Sequence, residues 1–294
     1  MVKESRYSIK KRKINKEDVN SLSSYLESRD CAESMDIMVQ VQNIIQDVRL
    51  NKDEALYKYT ALFDQVTLSS LVMNKEEMAK CMASVDQNFI EYMQEAKDNI
   101  VQFHMQQLQK GYEIQKEDGV YLGQRVIPLE KVGVYVPGGR ASYPSSVLMN
   151  VLPAKIAGVK EIVMVTPPNK EGSVDPYIVA AAQIAGVDTI YKIGGAQAVA
   201  ALSYGTQTIP KVDKIVGPGN AYVAMAKRLV FGKVDIDMIA GPSEILVIAD
   251  ENANPKFVAA DLISQAEHDP MASSILLTTS PALANEVMEE LKKQ

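Results

Sequence analysis

The sequence predicts an α/β fold in which N-terminal helices lead into a parallel sheet built from β-α-β units. Short apolar runs recur from residue 131 onward, at 132–136 (VGVYV), 162–166 (IVMVT), 189–193 (TIYKI), 214–216 (KIV), 245–249 (ILVIA) and 274–278 (SILLT). Helical stretches beginning near Ser145, Pro176, Ala196, Ala221 and Pro255 separate them. Before residue 110 the apolar spacing is helical instead. Strands that are apolar on both faces and alternate with helices belong to parallel sheets. Such sheets bind ligands outside the carboxyl ends of their strands.

The elements follow in order. From Met35 to Val48, residues Ile37, Val41, Ile44, Ile45 and Val48 form one stripe. Asn51 with Glu54 resembles a capping box, opening a helix whose apolar face is Ala55, Leu56, Tyr59, Leu62 and Phe63. Asn74 with Glu77 opens a longer segment, and Met78, Met82, Val85, Phe89, Tyr92, Met93, Ala96, Ile100 and Phe103 keep the period through several turns. The methionines read as core filler, and His104 as a partly buried, satisfied histidine. Segments 112–116 and 120–127 flank Asp118-Gly119, a hairpin turn pair.

Composition narrows the function. Of 294 residues, 47% are hydrophobic and 23% charged, as in ordinary globular proteins, and the net charge is −6. That balance argues against a general nucleic-acid binder; the basic cluster Lys10-Lys11-Arg12-Lys13 reads as a solvated stretch near a terminus. There is no apolar run of membrane-spanning length and no apolar secretory signal at the N-terminus. The two cysteines, Cys31 and Cys81, lie far apart and read as packing residues, with the cytoplasm as the natural compartment.

Polar chemistry gathers at the expected strand ends. The first strand runs into Tyr135-Val136-Pro137-Gly138-Gly139, the third into Gly194-Gly195-Ala196-Gln197 and the fourth into Gly217-Pro218-Gly219-Asn220. A further loop, Ala240-Gly241-Pro242-Ser243-Glu244, precedes the strand at 245. Glycines allow close backbone approach, and helix-start amides hold phosphates. The G-x-G-x-x-G dinucleotide spacing is absent. One such loop alone reads as structural; four followed by Gln, Asn, Ser or Tyr point to a polar small molecule bearing phosphate.

The stretch SQAEHDP at 264–270 carries one of only two histidines. Pro255 starts a helix over 256–266, so Gln265 and His268, three apart, face the same way from its end. Such a pair suits a metal or a polar substrate, and equally a solvated helix end. Glu267 and Asp269, one residue away, point elsewhere and do not extend the set.

The strings VGVYVPGG, ASYPSSVLMNVLPAKIAGV, KIGGAQAVAAL, KIVGPGNAYV, AGPSEILVIAD and LISQAEHDP resemble, in order, the signature blocks of the histidinol dehydrogenase family. The resemblance implies oxidation of L-histidinol through an aldehyde to L-histidine with two NAD, the last steps of histidine biosynthesis. It implies nucleotide contacts at Tyr135, Gln197 and Asn220, and substrate contacts at Ser243, Gln265 and His268. It further makes Gln265 and His268 zinc ligands in a cytoplasmic homodimer with shared active sites. The implied architecture is a Rossmann-like domain at 135–237, a second, incomplete α/β domain made of 31–134 plus 238–294, and an N-terminal extension at 1–30.

Family members continue past the position of Gln294. The resemblance puts the Glu-His proton-transfer pair and two further zinc ligands there, so no catalytic residue is expected within this chain. Two ligands fall short of the usual three or four. The chain is therefore expected to be metal-free and inactive by itself, with a non-catalytic form that keeps nucleotide binding or dimerisation as the alternative. A relative acting on another amino alcohol or hydroxy acid is the third reading. An incomplete second domain would leave an unpaired sheet edge, which favours association. Expressed alone, the chain should be less soluble than a full-length relative. A well-behaved monomer that melts cooperatively would overturn this.

Overall fold

The structure, a computed structural model, describes residues 35–138, 143–239, 243–267 and 272–294, with isolated positions 9, 11, 13, 18, 20, 21, 23 and 24. The described residues divide into two compact units, one within 33–239 and the other within 1–32 and 240–294.

The larger unit opens with four helices, α1 (Met35–Asn51), α2 (Asp53–Phe63), α3 (Lys75–Ser84) and α4 (Gln87–Met105). An exposed antiparallel hairpin follows, β1 (Tyr112–Gln115) with β2 (Tyr121–Gln124), and Asp118 and Gly119 at its tip take positive φ. Strand and helix then alternate: β3 (Lys131–Tyr135), α5 (Pro144–Ile156), β4 (Glu161–Thr166), α6 (Pro176–Ala185), β5 (Thr189–Lys192), α7 (Gly195–Tyr204), β6 (Lys214–Val216), α8 (Ala221–Val230) and β7 (Asp235–Ile236). All five of these strands pair in parallel, in the order β5-β4-β3-β6-β7. The two-residue β7 has too short an apolar run to be read from sequence.

Alternation along the strands builds two cores. Tyr135, Val163, Val165, Tyr191 and Ile215 face one side, against α1, α2, α7 and α8. Val132, Val134, Ile162, Met164 and Ile190 face the other, against α3, α4, α5 and α6. The grouping of 31–134 with 238–294 departs from this arrangement. The stripes of α1 and α2 close one sheet face and those of α3 and α4 pack toward the other, so these helices belong to the compact unit of the parallel sheet.

Local chemistry explains where the helices start and stop. The capping box at Asn74 and Glu77 is present, and the Glu77 carboxylate also takes the buried Lys192 ammonium at 2.7 Å. Burial opposes the Glu77 charge, but Lys192 and the Asn74 N–H outweigh it and hold the carboxyl below its ordinary value. The other expected box does not form. Asn51 ends α1, and Lys52, at φ 53, precedes α2 with no side-chain cap. Gln207 Oε1 accepts from Asp53 N at 3.1 Å, so a partner remote in sequence satisfies the helix start instead. The long segment from 74 to 103 also breaks, because Val85 and Asp86 are extended between α3 and α4. Met93 is buried, whereas Tyr92 and Phe103 of the same stripe face outward. His104 is partly buried, its Nδ1 2.6 Å from Gln107 Oε1. Cys81 is packed in the core; Cys31 lies outside the described residues.

The second unit holds β8 (Ile245–Ala249), α9 (Pro255–Ala266), β9 (Ser274–Thr278) and α10 (Pro281–Lys293). β8 and β9 pair in parallel, with no third strand beside them among the described residues. Val258, Ala259, Leu262, Leu283 and Val287 of the helices pack on one face, while Leu246, Ile248, Ile275 and Leu277 of the strands are exposed. Among the described residues no helix is long and apolar enough to cross a membrane.

Leu202 on α7 is fully buried, and its methyls fill the space that the absent side chain of Gly133 leaves beside β3. Leu202→Ala should lower unfolding stability by about 2–5 kcal/mol, measured as a reduced urea midpoint without a change in slope.

Candidate functional site

The chain builds β3, β4 and β5 outward in one direction, then returns to place β6 on the other side of β3. That reversal is a topological switch point, and the crevice outside the carboxyl ends of β3 and β6 is where such sheets take ligands. The two segments leaving those ends are 135–138 and 217–220.

Gly217 holds the two together. Its φ is +112°, and a Cβ there would collide with the Tyr135 carbonyl, so only glycine lets the backbones approach. The buried Lys227, on α8, donates to Gly217 O at 2.9 Å and pairs with the Asp237 carboxylate. Asp237 Oδ2 in turn accepts from Gly217 N at 2.8 Å. Both polar groups of Gly217 are thus fixed by one ion pair. Three residues on, Asn220 caps α8, its Oδ1 accepting from Tyr222 N and Val223 N at 3.1 Å each. That leaves the Asn220 side-chain N–H₂ to face outward from an exposed position.

Tyr135 is buried, and its hydroxyl accepts from Gly195 N at 3.0 Å, tying the end of β3 to the start of α7. Gly194 lies against Pro167, where a Cβ would stand 2.6 Å from the proline Cβ, so the loops after β4 and β5 also meet. The Gln197 side chain folds back over the helix start, with Oε1 2.5 Å from where a Cβ on Gly195 would be. No side chain caps α7.

Among the described residues, three buried side-chain oxygens lack a hydrogen-bond partner: Thr60 Oγ1, Asp64 Oδ2 and Gln197 Oε1. Burial pushes the Asp64 carboxyl up to about 6. Burial likewise pushes the Tyr135 phenol up to about 12; the Gly195 N–H works against that rise, and the Asp64 charge adds to it.

The residues expected from sequence are distributed as follows. Tyr135 and Gln197 meet at the start of α7, and Asn220 stands at the end of the neighbouring strand β6. Ser243 is exposed just before β8, and Gln265 is partly buried in the last turn of α9. His268 lies outside the described residues. Among the described residues no three His, Cys, Asp or Glu side chains form a metal-binding group. Lys227, Asp237 and Asp64 were not singled out from sequence. Lys227 did leave a signal: with Val223 and Val230 it lies on the buried side of α8, an apolar stripe broken by a lysine.

Residues 27–294 match the model of the histidinol dehydrogenase family. The chain belongs to the histidinol dehydrogenase family. It is 58% identical over 269 residues to the histidinol dehydrogenase of Clostridium acetobutylicum, covering 92% of this chain and 62% of that protein. A histidinol dehydrogenase of Listeria monocytogenes is 56% identical over 277 residues, or 94% of this chain and 65% of the relative. The crystal structure of histidinol dehydrogenase from Elizabethkingia anophelis superposes with a TM-score of 0.82 at 42% identity, covering 89% of this chain and 60% of that one. The chain thus spans just over six-tenths of the length of the curated relatives it matches.

Two measurements follow from the geometry. Lys227→Met leaves Asp237 without its buried partner and frees Gly217 O, so it should destabilise the fold by about 3 kcal/mol, visible by thermal melting. For Asp64 the folded pKa is raised from 3.8 to about 6. Stability from this group is therefore full below 3.8 and lost as pH rises through about 6. A shift of this size corresponds to at most about 3 kcal/mol, and solvent screening at a partly shielded site reduces it to about 1–2 kcal/mol. Asp64→Asn should stabilise the protein by that amount near pH 8 and hardly at all near pH 4. Equal melting shifts at both pH values would contradict the assignment.

Proposed function

We propose that the protein is a cytoplasmic, NAD-dependent histidinol dehydrogenase, oxidising L-histidinol through the aldehyde to L-histidine, and that it works as a homodimer. The observation that carries this reading is the family match along 27–294. The switch-point geometry supports a nucleotide at Tyr135, Gln197 and Asn220.

The donor and acceptor inventory fits a dinucleotide. The uncapped start of α7 offers backbone N–H groups and a positive helix end to a phosphate. Asn220, with Oδ1 committed to its helix, presents only donors outward. Gln197 Oε1 presents an acceptor that nothing among the described residues satisfies. Tyr135, through the Gly195 N–H, fixes the backbone on which Gln197 rides. When bound, NAD would supply the hydride acceptor, once for the alcohol and once for the hydrated aldehyde, with a proton released each time. Gly217 and the Lys227–Asp237 pair hold the crevice wall rigid, so the nucleotide meets a preformed surface.

Ser243, Gln265 and His268 are proposed to contact L-histidinol, and Gln265 with His268 to ligate zinc. The described residues do not by themselves fit that metal. Gln265 has no group of three His, Cys, Asp or Glu around it, and two ligands fall short of a zinc set. No step is therefore routed through zinc.

The test is an assay at the length of the relatives with L-histidinol, NAD and zinc. Two NADH should form per L-histidinol consumed, and Gln197→Ala and Asn220→Ala should each raise the KM for NAD about tenfold. Turnover of a different amino alcohol, with none of L-histidinol, would retire this function.

A further inference from the structure

The proposed site does not yet use Asp64, a carboxylate with a buried, unpartnered oxygen, and the packing of α2 carries it there. The start of α2 is fastened beside the end of α7: Thr208 Oγ1 donates to Asp53 Oδ2 at 2.5 Å, Asp53 N donates to Gln207 Oε1, and Lys52 Nζ donates to Gly205 O at 3.0 Å. The two helices pack together and are 11 and 10 residues long. At about 1.5 Å per residue they are matched in length, so α2 ends where α7 begins. Asp64, the residue that closes α2, is thereby brought to the Gly195–Gln197 turn. The influence of its charge on the Tyr135 hydroxyl agrees with that placement.

The three unpartnered buried oxygens all lie on this helix pair, Thr60 Oγ1 and Asp64 Oδ2 at the end of α2 and Gln197 Oε1 at the start of α7. Gln197 is 1% exposed, so water outside the protein does not satisfy it. A buried polar atom without a partner is costly, and native proteins rarely leave one so. A carboxylate and an amide oxygen at the same end of this helix pair call for a ligand that brings hydrogen-bond donors. Phosphate brings none at neutral pH, and its charge would face the Asp64 carboxylate. A sugar diol brings two.

We propose that Asp64, together with Gln197 Oε1, receives ribose hydroxyls of the bound nucleotide and makes the site select a free 2′-hydroxyl over a 2′-phosphate. The inference rests on the nucleotide site proposed above. It adds to that site a residue which both binds the cofactor and determines its class. The alternative occupant of the same three oxygens is an ordered water, which would give Asp64 a purely structural role.

Isothermal titration of the chain with NAD and with NADP separates these cases, using the unmodified protein, Asp64→Asn, Asp64→Ser and Asn220→Ala. The unmodified chain should bind NAD at least about tenfold more tightly than NADP. Asp64→Ser should weaken NAD about tenfold, and both Asp64 variants should bring the NAD-to-NADP ratio close to one. Circular-dichroism melts establish that each variant is folded, and the comparison in the unmodified chain needs no variant. Equal affinity for NAD and NADP in that chain overturns the proposal. So does an unchanged ratio in either folded Asp64 variant, the result a structural water predicts. If NAD binds and Asn220→Ala weakens it while Asp64 variants do not, only the role of Asp64 falls. If neither nucleotide binds, the nucleotide site falls and this inference with it.

Discussion

The backbone contact between Gly217 and Tyr135 is the constraint on which the rest of the site depends. It brings the ends of β3 and β6 closer than any side chain at 217 would permit. Such an approach is not self-sustaining, because both polar groups of Gly217 must find partners away from the sheet ladder. Lys227 and Asp237 supply them. Taking a lysine fully out of water is expensive unless its ammonium is paired and its protons are accepted, and here a carboxylate and a carbonyl do both. The ion pair therefore acts less as a source of net stability than as a fixed frame for four residues of loop. Asn220 inherits its position from that frame and its orientation from capping α8.

A second frame stands on the other side of β3. Tyr135 spans from its strand to the first turn of α7, and α2 lies along α7 with its start fastened to the loop beyond that helix. The two frames differ in character. Around Gly217 both of its backbone polar groups are satisfied, whereas among the described residues the α2–α7 side retains three oxygens with no partner and a carboxyl whose charge is disfavoured by burial. Proteins tolerate such local cost where a ligand later removes it, and relieving it by mutation commonly trades function for stability.

Much of this architecture is legible in the chain because it rests on short-range pattern. Doubly apolar runs identify the strands of the five-stranded sheet apart from β7, and glycine pairs immediately after them mark the crevice. Asn220 is visible for the same reason, as a helix-capping residue type directly following Gly-Pro-Gly. The parts that escape are those fixed by partners remote in sequence. Asn51 and Glu54 have the letters of a capping box, yet Gln207, more than 150 positions away, satisfies the helix start. Asp64 carries no local mark at all; only the length match of α2 and α7 brings it to Gln197. The α3–α4 break was hidden because Val85 keeps the apolar period through a residue that is not helical.

The unit within 240–294 shows the opposite balance. Its strands β8 and β9 pair in parallel, and parallel strands are ordinarily covered on both faces. Here, among the described residues, α9 and α10 cover one face, while Ile248 and Leu246 of β8 stand 74% and 56% exposed on the other. Gln265 lies on the same helix as the packed Val258 and Leu262, which set its backbone. Tyr135, Gln197 and Asn220, the residues proposed for the nucleotide, are held by a core that buries both faces of its sheet, and their geometry is internal to that unit. Gln265 sits in the last turn of a helix with one packed face. Among the described residues, the loops proposed for the nucleotide are therefore preorganised by the fold, whereas the helix end proposed for metal and substrate is fixed along its packed face.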